Sequence, residues 1–417
     1  MEYLPRVLDA RLKRLLTGMG AVVLEGPRAC GKTSTGLQHA NSSVRLDVGP
    51  QVRALVEHDP LALLDGKPPL LVDEWQLAPD LWNVIRHEID ARQVPGQFIL
   101  SGSVMPPDDP GRHSGAGRFA RVCMRPMALG ESGRSSGQVS LKDLGTEWGL
   151  SGVRSPLGYR ELAVEACRGG WPGLLSTDTD IALEFNGSYL RDTTLSEIAS
   201  TGGRRHDQAR MERLLRSLAR TTATEVTVTR LAADVSVDGS GANRDTVRDY
   251  LDSLTALYVL EEQPAWSVSL RSRARLRRRA KLHFCDPALA CAALGVNPRR
   301  LAADPEFFGQ VFESMVYRDL SAYADALGGR IFHYRDETGL EVDFVVEFPD
   351  GTWAAMEAKL GEKAVASAEM NLLKLKSIVN TDLVGEPLFL AVITGAEFGY
   401  TRDSGVHVVP LGAMRGA

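Results

Sequence analysis

One octapeptide constrains this chain more than any other stretch. Gly26-Pro27-Arg28-Ala29-Cys30-Gly31-Lys32-Thr33 has the spacing G-x-x-x-x-G-K-T and follows the apolar residues 21–24. A buried strand, a glycine-rich turn and a helix N-terminus, in this order, surround nucleotide phosphates with backbone N–H groups and the positive end of the helix dipole. In such a loop the lysine contacts the terminal phosphates and the Thr hydroxyl binds Mg²⁺. We therefore expect these eight residues and Ser34 to bind ATP with Mg²⁺.

Two acidic residues end the next apolar segment, Leu70-Leu71-Val72-Asp73-Glu74. Asp73 is expected to bind Mg²⁺ directly or through water, and Glu74 to orient and deprotonate the attacking water. The segment 97–100 then runs into Ser101-Gly102-Ser103. Ser101 or Ser103 is expected to sense the γ-phosphate, although a plain turn explains these serines equally well.

Arg118 and Arg121 follow a segment rich in Pro, Gly, Asp and Ser. Either residue is a candidate arginine finger that stabilises the transferring phosphoryl group, and Arg118 is the one we assign to catalysis. The finger would act within its own chain or in a neighbouring subunit, which leaves assembly into a homo-oligomer open. Solvated surface arginines are the simpler alternative.

Apolar segments alternate with helical patterns through the first third of the chain, which predicts an α/β fold with a doubly wound parallel sheet. A P-loop core over 1–150 is followed by a helical linker over 151–206. A winged-helix module over 207–282 and an α/β domain over 283–417 complete the predicted organisation.

The winged-helix prediction comes from three helical patterns followed by a strand and a basic cluster. Asn243 is the expected cap of the third helix, 243–257, which is the candidate recognition helix. The segment 271–281 is the strongest basic cluster in the chain and stands where a wing is expected. Both segments are expected to contact nucleic acid, with DNA as the expected form, although a solvated charged loop is an alternative for 271–281.

Composition limits the partners and the compartment. The 417 residues carry a net charge of −5, so contact with nucleic acid must come from a local basic patch. The five cysteines contain no C-x-x-C pair, which favours neither a zinc ribbon nor a disulfide framework. Apolar runs are too short to span a membrane. A reducing cytoplasm fits these features best.

A second group of polar residues lies about 300 residues downstream, where Asp343, Glu357 and Lys359 have the spacing D-x13-E-x-K. A turn at 349–351 predicts a hairpin in which Asp343 lies opposite Glu357, so that both carboxylates can hold one Mg²⁺. Lys359 shares the face of Glu357 and is expected to polarise the attacking water or stabilise the phosphate. Glu313, on the preceding helix, is an additional candidate ligand. A surface hairpin in which Lys359 pairs with Glu341 is the alternative.

Several motifs together resemble the prokaryotic AAA-type ATPases that carry a C-terminal domain of unknown function, DUF4143. The motifs, read along the chain, are Gly26-Pro27-Arg28, Gly31-Lys32-Thr33, Leu71–Gln76, Ile99–Ser103, Gly117-Arg118, Arg168–Pro172 and Lys281–Asp286. The resemblance implies an ATP-binding AAA+-like core, a winged helix and a C-terminal domain similar to the PD-(D/E)XK nucleases. Ser101 replaces the threonine that is usual at the sensor position and keeps its hydroxyl.

Three hypotheses for function follow. The first is an Mg²⁺-dependent ATPase that acts on nucleic acid with a nuclease-like domain. The second is a nucleotide-switched, DNA-binding regulatory protein that does not cleave. The third is a toxin or signalling ATPase whose partner is a protein.

Overall fold

The computed structural model describes two compact units. The described residues are 3–104, 115–146, 149–193, 208–236, 243–267 and 279–416. Contacts within the chain group Met1–Pro126 with Ala256–Tyr258 in the first unit, and Met127–Thr255 with Val259–Ala417 in the second. All five cysteines are free thiols. Within the described ranges, no helix is both long and apolar enough to cross a membrane.

The first unit is built on a five-stranded sheet in which every pair of neighbouring strands is parallel. Its strands are β1 Ala21–Glu25, β2 Ser42–Arg45, β3 Leu70–Asp73, β4 Phe98–Gly102 and β5 Phe119–Cys123. The order across the sheet is β2-β3-β4-β1-β5. The strands β3 and β4 are completely buried, as expected for a sheet covered on both faces. The predicted α/β fold with a parallel sheet is confirmed.

One helix precedes the first strand and three connect the strands, and their apolar faces pack on the sheet. They are α1 Asp9–Leu16, α2 Lys32–His39, α3 Pro50–His58 and α4 Leu81–Arg92. The buried aromatic side chains of Trp75 and Trp82 form part of this core. The Trp82 ring stacks on Phe119 with 4.0 Å between ring centroids, which fixes α4 against the edge strand β5.

The boundary of the first unit differs from the predicted one at residue 150. The segment after Pro126 belongs to the second unit because its backbone is held by side chains there. Leu129 N–H donates to Asp319 over 2.9 Å, and Gly130 N–H donates to the Tyr323 hydroxyl over 3.1 Å. The glycine- and serine-rich stretch near residue 140 is therefore a loop within the second unit rather than a domain boundary.

The first half of the second unit is mainly helical. Its helices are α5 Leu141–Leu144, α6 Tyr159–Arg168, α7 Thr179–Asp192, α8 Gln208–Arg220, α9 Val228–Val235, α10 Arg244–Ala256, α11 Pro287–Leu294 and α12 Pro298–Ala302. An antiparallel sheet accompanies them, in the order β8-β10-β9. Its strands are β8 Thr224–Glu225, β9 Leu260–Gln263 and β10 Lys281–Phe284. Asn243 accepts a hydrogen bond from Asp245 N–H, so it caps α10 as predicted.

The second half of this unit contains a larger mixed sheet and two long helices, α13 Pro305–Ala326 and α14 Val365–Ile378, with the short helix α15 Thr381–Val384. The sheet order is β11-β12-β13-β14-β16-β15-β7. Its strands are β7 Val153–Arg154, β11 Arg330–Arg335, β12 Glu341–Glu347, β13 Trp353–Lys359, β14 Leu390–Thr394, β15 Phe398–Thr401 and β16 His407–Pro410. A separate pair joins β6 Val139–Ser140 to β17 Met414–Arg415.

The hairpin of β12 and β13 has the predicted register. Phe348 N–H donates to the Thr352 carbonyl, and Phe344 lies opposite Met356. Pairing between the two strands ends with Phe344 opposite Met356, one residue before Asp343 and Glu357. Parallel pairing of β13 with β14 then continues the sheet beyond the hairpin, which buries the faces of both strands.

Candidate functional site

The phosphate loop joins β1 to α2 and depends on two glycines. Gly26 has φ 146° and Gly31 has φ 104°, values in the left-handed region that side-chain-bearing residues rarely adopt. A Cβ atom at Gly26 would lie only 2.1 Å from the carbonyl oxygen of Met124. Gly31 is the N-cap of α2, so the loop ends at the N-terminus of a helix, as an anion-binding loop requires.

Lys32 is folded onto this loop. Its ammonium group donates to the carbonyl oxygens of Gly26 over 2.9 Å and Pro27 over 2.7 Å. Arg6, a buried arginine for which no role was predicted, stabilises the loop by donating to the carbonyls of Cys30 and Arg125, each over 2.8 Å. Nothing in the sequence marks Arg6, because its carbonyl partners are created only by the fold.

Thr33, Asp73 and Ser101 form one connected polar group. The Thr33 hydroxyl donates to the Asp73 carboxylate, with 3.0 and 3.1 Å to its two oxygens, and the Ser101 hydroxyl also donates to Asp73. They meet because β4 lies between β1 and β3, and Ser101 pairs with Leu24 on one side and Asp73 on the other. Hydroxyl and carboxylate oxygens are the donors that Mg²⁺ prefers, so Thr33 and Asp73 fit the expected ion.

Glu74 follows Asp73 in an unusual backbone conformation. Its φ of 57° and ψ of 42° are left-handed, a strain that clusters at functional positions in proteins. The Gln76 amide donates to the Glu74 carboxylate, and the Ser103 hydroxyl lies 3.4 Å from the same oxygen. Asp73 therefore faces Thr33, whereas Glu74 is held by a different pair of side chains. Gln76 is a residue of this site for which the sequence predicted no role.

Arg118 does not join the nucleotide site of its own chain. It immediately precedes β5, whose first residue Phe119 pairs with Ala21 at the start of β1. Arg118 is thus level with Gly20, six residues before Gly26, which at about 3.3 Å per residue is roughly 20 Å from the start of the phosphate loop. Arg118 instead pairs with Asp90 on α4, over 2.9 Å. The prediction of a finger within the chain fails for Arg118 because β5 runs parallel to β1 and Arg118 lies at its start.

Arg121 lies further along β5 and closer to the loop. Its guanidinium donates to the Glu25 carboxylate at the end of β1 and lies 5.3 Å from the centre of the Trp82 ring. Burial raises the pKa of Glu25, and the charge of Arg121 opposes this shift. Arg45, on β2, also lies near the site, with Nε 3.8 Å from the Asp73 carboxylate.

The second predicted group is assembled in the other unit, at one end of β12 and β13. One oxygen of Asp343 accepts from Ala358 N–H over 3.0 Å, which ties the two strands together. The Lys359 ammonium lies 2.7 Å from Glu357 and 3.4 Å from Asp343. The alternative pairing of Lys359 with Glu341 does not occur, because a different lysine holds Glu341.

That lysine is Lys281, on β10 of the small sheet. Its ammonium lies 2.7 Å from Glu313, 2.9 Å from Glu341 and 3.3 Å from Asp343. The side chain is only 3% exposed, so Lys281 is not the surface contact for nucleic acid that was predicted for 271–281. Residues 271–278 of that segment lie outside the described residues.

The lysine also changes the prediction of a metal site. Among the residues that the structure describes, no three His, Cys, Asp or Glu side chains come together as a metal-ion site. Asp343, Glu357 and Glu313 are separated by the ammonium groups of Lys281 and Lys359. This donor set therefore does not fit a divalent cation while both lysines are present.

Burial and charge act in opposite directions on the pKa values of this acid and lysine cluster. Burial raises the pKa of Glu313 to about 7, and the Asp343 charge adds to that shift. For Asp343 the nearby Lys281 and Lys359 outweigh burial and lower the pKa. Burial also raises the pKa of Glu357. Burial alone would lower the pKa of both lysines, but the carboxylates raise it above the ordinary value.

A buried histidine lies next to this cluster. His283 Nε2 is 3.0 Å from Gln263 Oε1, and His283 Nδ1 is 3.0 Å from the Ser314 hydroxyl. The Gln263 amide nitrogen donates to the carbonyls of Phe332 and Asp343, so its oxygen must accept. His283 therefore carries a proton on Nε2. Burial, followed by the charge of Lys281, lowers its pKa well below the usual value.

This lowered pKa predicts a loss of stability in acid. Below about pH 6.5 His283 is protonated in the unfolded chain but stays neutral in the folded chain. The free energy of unfolding therefore decreases as the pH is lowered. Between about pH 7 and about pH 5.5, wild type should lose about 1.4 kcal/mol more than His283→Gln in urea unfolding. The exposed His58, changed to Gln, is the matched control. Equal losses in wild type and His283→Gln would contradict the assignment of a neutral histidine.

The predicted recognition helix has a mixed surface. Its exposed side chains on α10 include Arg244, Asp245, Arg248, Asp249 and Asp252. Arg248 is paired with Asp245 over 3.0 Å. Three acids against two arginines give this face no positive charge of its own, so attraction to phosphate would have to come from other residues.

Comparisons with known proteins match three separate segments of the chain. Residues 19–132 match the family model of an AAA domain, AAA_14. Residues 159–300 and 308–414 match two domains of unknown function, DUF8612 and DUF4143. The match to the AAA domain covers the phosphate loop, Asp73, Glu74 and Ser101, so all these site residues lie in a part of the chain that is similar to AAA-type ATPases.

Two curated proteins and two solved structures are similar to this chain at low sequence identity. Uncharacterized proteins of Mycobacterium tuberculosis and Mycobacterium bovis are each 26% identical to this chain over 348 residues, covering 81% of it and 70% of the relative. A Walker-type ATPase of Pyrococcus abyssi matches with a TM-score of 0.43 and 15% identity, over 70% of this chain and 96% of that one. McrB AAA+ hexamers with bound McrC from Thermococcus gammatolerans match with a TM-score of 0.18 and 12% identity, over 48% and 70%.

Proposed function

We propose that this chain, which carries an AAA-type ATPase domain at residues 19–132, hydrolyses ATP and uses the cycle to control binding of nucleic acid by its second unit. The observation that supports hydrolysis most strongly is the connected group of Thr33, Asp73 and Ser101 beside the phosphate loop. Glu74 lies one residue beyond Asp73 and is held separately by Gln76 and Ser103. Turnover by the intact chain, with variants of Lys32 and Glu74, tests this part.

In the proposed reaction, Lys32 leaves the carbonyls of Gly26 and Pro27 and contacts the terminal phosphates of ATP. Thr33 and Asp73 would hold Mg²⁺, which supplies neutralising charge for the phosphates. Glu74 accepts a proton from the attacking water, whose oxygen bonds to the γ-phosphorus as the bond to the bridging oxygen of ADP breaks. Ser101 donates to Asp73 and orients its carboxylate. A stabilising arginine would be Arg121 or a residue of a neighbouring subunit.

Binding of nucleic acid is supported by the order of elements over 208–284. Helix, strand, two helices and two further strands, with the three strands in one antiparallel sheet, are the arrangement of a winged helix. In a winged helix the wing joins the last two strands, and in this sequence the connection from β9 to β10 contains the arginine-rich residues 271–279, of which 271–278 lie outside the described residues. Because the exposed face of α10 is not basic, we assign the phosphate contacts to this segment.

The C-terminal domain is proposed to have a nuclease-like fold. The long helix α13, the antiparallel strands β11, β12 and β13, the helix α14 and the parallel strand β14 are placed around Asp343, Glu357 and Lys359. Two functions are compatible with that fold, cleavage and binding without cleavage. The ammonium of Lys281 among Glu313, Glu341 and Asp343 favours binding without cleavage.

A fluorescent DNA duplex tests binding and cleavage together. Affinity measured by anisotropy should fall as salt rises, and the slope of log affinity against log salt should be roughly −0.9 for each phosphate that the protein neutralises. Changing Arg275, Arg277 and Arg278 to Gln should weaken binding and make this slope shallower, whereas changing the exposed Arg299 and Arg300 should do neither. The duplex should stay intact with Mg²⁺ or Mn²⁺.

Two outcomes would contradict this proposal. Cleavage that requires Mg²⁺ or Mn²⁺ and disappears in Lys359→Ala would establish the nuclease instead. ATP turnover without binding of any DNA or RNA would favour a protein partner, as in a signalling or toxin ATPase.

A further inference from the structure

The acid cluster of the C-terminal domain contains its own cation. Lys281 has three N–H donors, and three carboxylates lie within 2.7 to 3.3 Å of its nitrogen, those of Glu313, Glu341 and Asp343. The ammonium donates hydrogen bonds to Glu313 and Asp343, and Glu341 is within ion-pair distance. Its side chain is 3% exposed, so water contributes little to its stabilisation.

The lysine and the carboxylates belong to different parts of the second unit. Lys281 is on β10, where its backbone pairs with Glu225 of β8 and Gln263 of β9. The three acids are on α13 and β12, within or beside the C-terminal match at 308–414. The small sheet therefore supplies a positive charge to an acid cluster that belongs to the nuclease-like part.

A divalent cation would need the same oxygens. Mg²⁺ requires carboxylate oxygens at about 2.0–2.1 Å in octahedral geometry, and Mn²⁺ prefers similar oxygen donors. An ammonium group 3.3 Å from Asp343 and 2.7 Å from Glu313 repels such an ion and occupies the space in which these donors converge. Lys359 adds a second positive charge, 3.4 Å from Asp343.

We propose that the Lys281 ammonium is the permanent cation of this acid cluster, in place of a divalent metal ion, and that it locks the winged-helix-like part to the C-terminal domain. The inference rests on the proposed nuclease-like fold and goes beyond it in assigning the site's occupant. It makes the intact site independent of metal. It also makes the cluster a latent divalent-cation site that opens when the lysine charge is removed.

Titration of the nucleotide-free chain with Mn²⁺, followed by calorimetry, tests the proposal that the cluster binds no divalent metal ion. Wild type and Asp343→Asn should give indistinguishable isotherms, because the wild-type cluster takes no metal. A Mn²⁺ site that is present in wild type and lost in Asp343→Asn would overturn the proposal. This comparison does not require any Lys281 variant to fold and does not involve ATP turnover, so it fails or succeeds independently of the ATPase.

Lys281→Met tests the rest of the proposal, since it keeps the length of the side chain and removes the charge. We expect Lys281→Met to have a lower melting temperature than wild type. Its affinity for Mn²⁺ should be at least ~10-fold higher than that of wild type. The double variant Lys281→Met, Asp343→Asn should lose this gain in affinity. Lys376→Met, at a lysine that is 45% exposed, is the control and should change neither. A Lys281→Met chain as stable as wild type and without a Mn²⁺ site would show that the ammonium does not act as the cluster's cation.

Discussion

Lys32→Ala should reduce ATP turnover by on the order of 10²–10³-fold, the loss found when one charged donor is removed from a site of charge development. The ammonium of Lys32 is buried and lies on the carbonyls of Gly26 and Pro27 in the phosphate loop. We expect the ammonium to leave these carbonyls for the terminal phosphates when ATP binds, and residues 26–33 contain no other lysine that could replace it. Phosphate release at saturating ATP measures the effect.

Lys13→Ala is the matched control, because Lys13 is an exposed lysine on α1 of the same unit. Its turnover should equal that of wild type. An unchanged rate in Lys32→Ala would mean that ATP is hydrolysed elsewhere or by a contaminant, and the assignment of the loop would fail. Binding of a fluorescent ATP analogue should also weaken in Lys32→Ala.

Glu74→Gln should separate binding from hydrolysis. The carboxylate is expected to take the proton of the attacking water, a contribution that is typically about 10²–10⁴-fold in rate. Asp73 and Thr33, which fit Mg²⁺, are untouched by this change, so the affinity for ATP should remain close to that of wild type. Gln at this position keeps the shape of the side chain and removes the base.

The same two measurements decide this prediction. A fluorescent ATP analogue reports affinity and a single-turnover assay reports the chemical step, with Glu57→Gln at an exposed glutamate as control. A loss of affinity equal to the loss of turnover would contradict the role of Glu74 as base. It would indicate instead that the left-handed backbone at Glu74 collapses and distorts the metal-binding side chains.

The parts of the fold that follow from local patterns could be predicted. The phosphate loop is a contiguous motif, and the strands before Asp73 and Ser101 are apolar runs that end in polar residues. The hairpin register was also predictable, because a short turn at 349–351 leaves one pairing that places Phe348 opposite Thr352. That pairing continues along the two strands as far as Phe344 and Met356, which brings Asp343 to the end of the strands that carry Glu357 and Lys359.

The features that could not be predicted depend on distant contacts or on strand direction. In the sequence, Lys281 is the last residue of a basic run that was predicted to lie on the surface. In the fold it is buried against Glu313 and Asp343, which lie up to 62 residues further along the chain. Arg6 holds backbone carbonyls, which leave no signal in a sequence. Arg118 is close to the site in sequence but lies at the opposite end of a parallel strand.

The domain boundary differs from the predicted one for a related reason. Glycine and serine around residue 140 are typical of a linker, but the preceding segment is fixed to α13 by Asp319 and Tyr323. Asp319 itself is paired with the buried Arg318 at 2.7 Å, so the segment is attached to a charged network in the core of the second unit. The sequence alone does not predict such a network, because its residues are far apart along the chain.

ATP turnover by the intact chain, measured side by side for wild type, Glu74→Gln and Asp343→Asn, tests the account most directly. Wild type should release phosphate in a Mg²⁺-dependent, saturable manner, and Asp343→Asn should match it because Asp343 belongs to the other unit. Glu74→Gln should be slower by about 10²-fold or more. A wild-type rate no higher than that of Glu74→Gln would contradict the conclusion that this chain hydrolyses ATP at its phosphate loop.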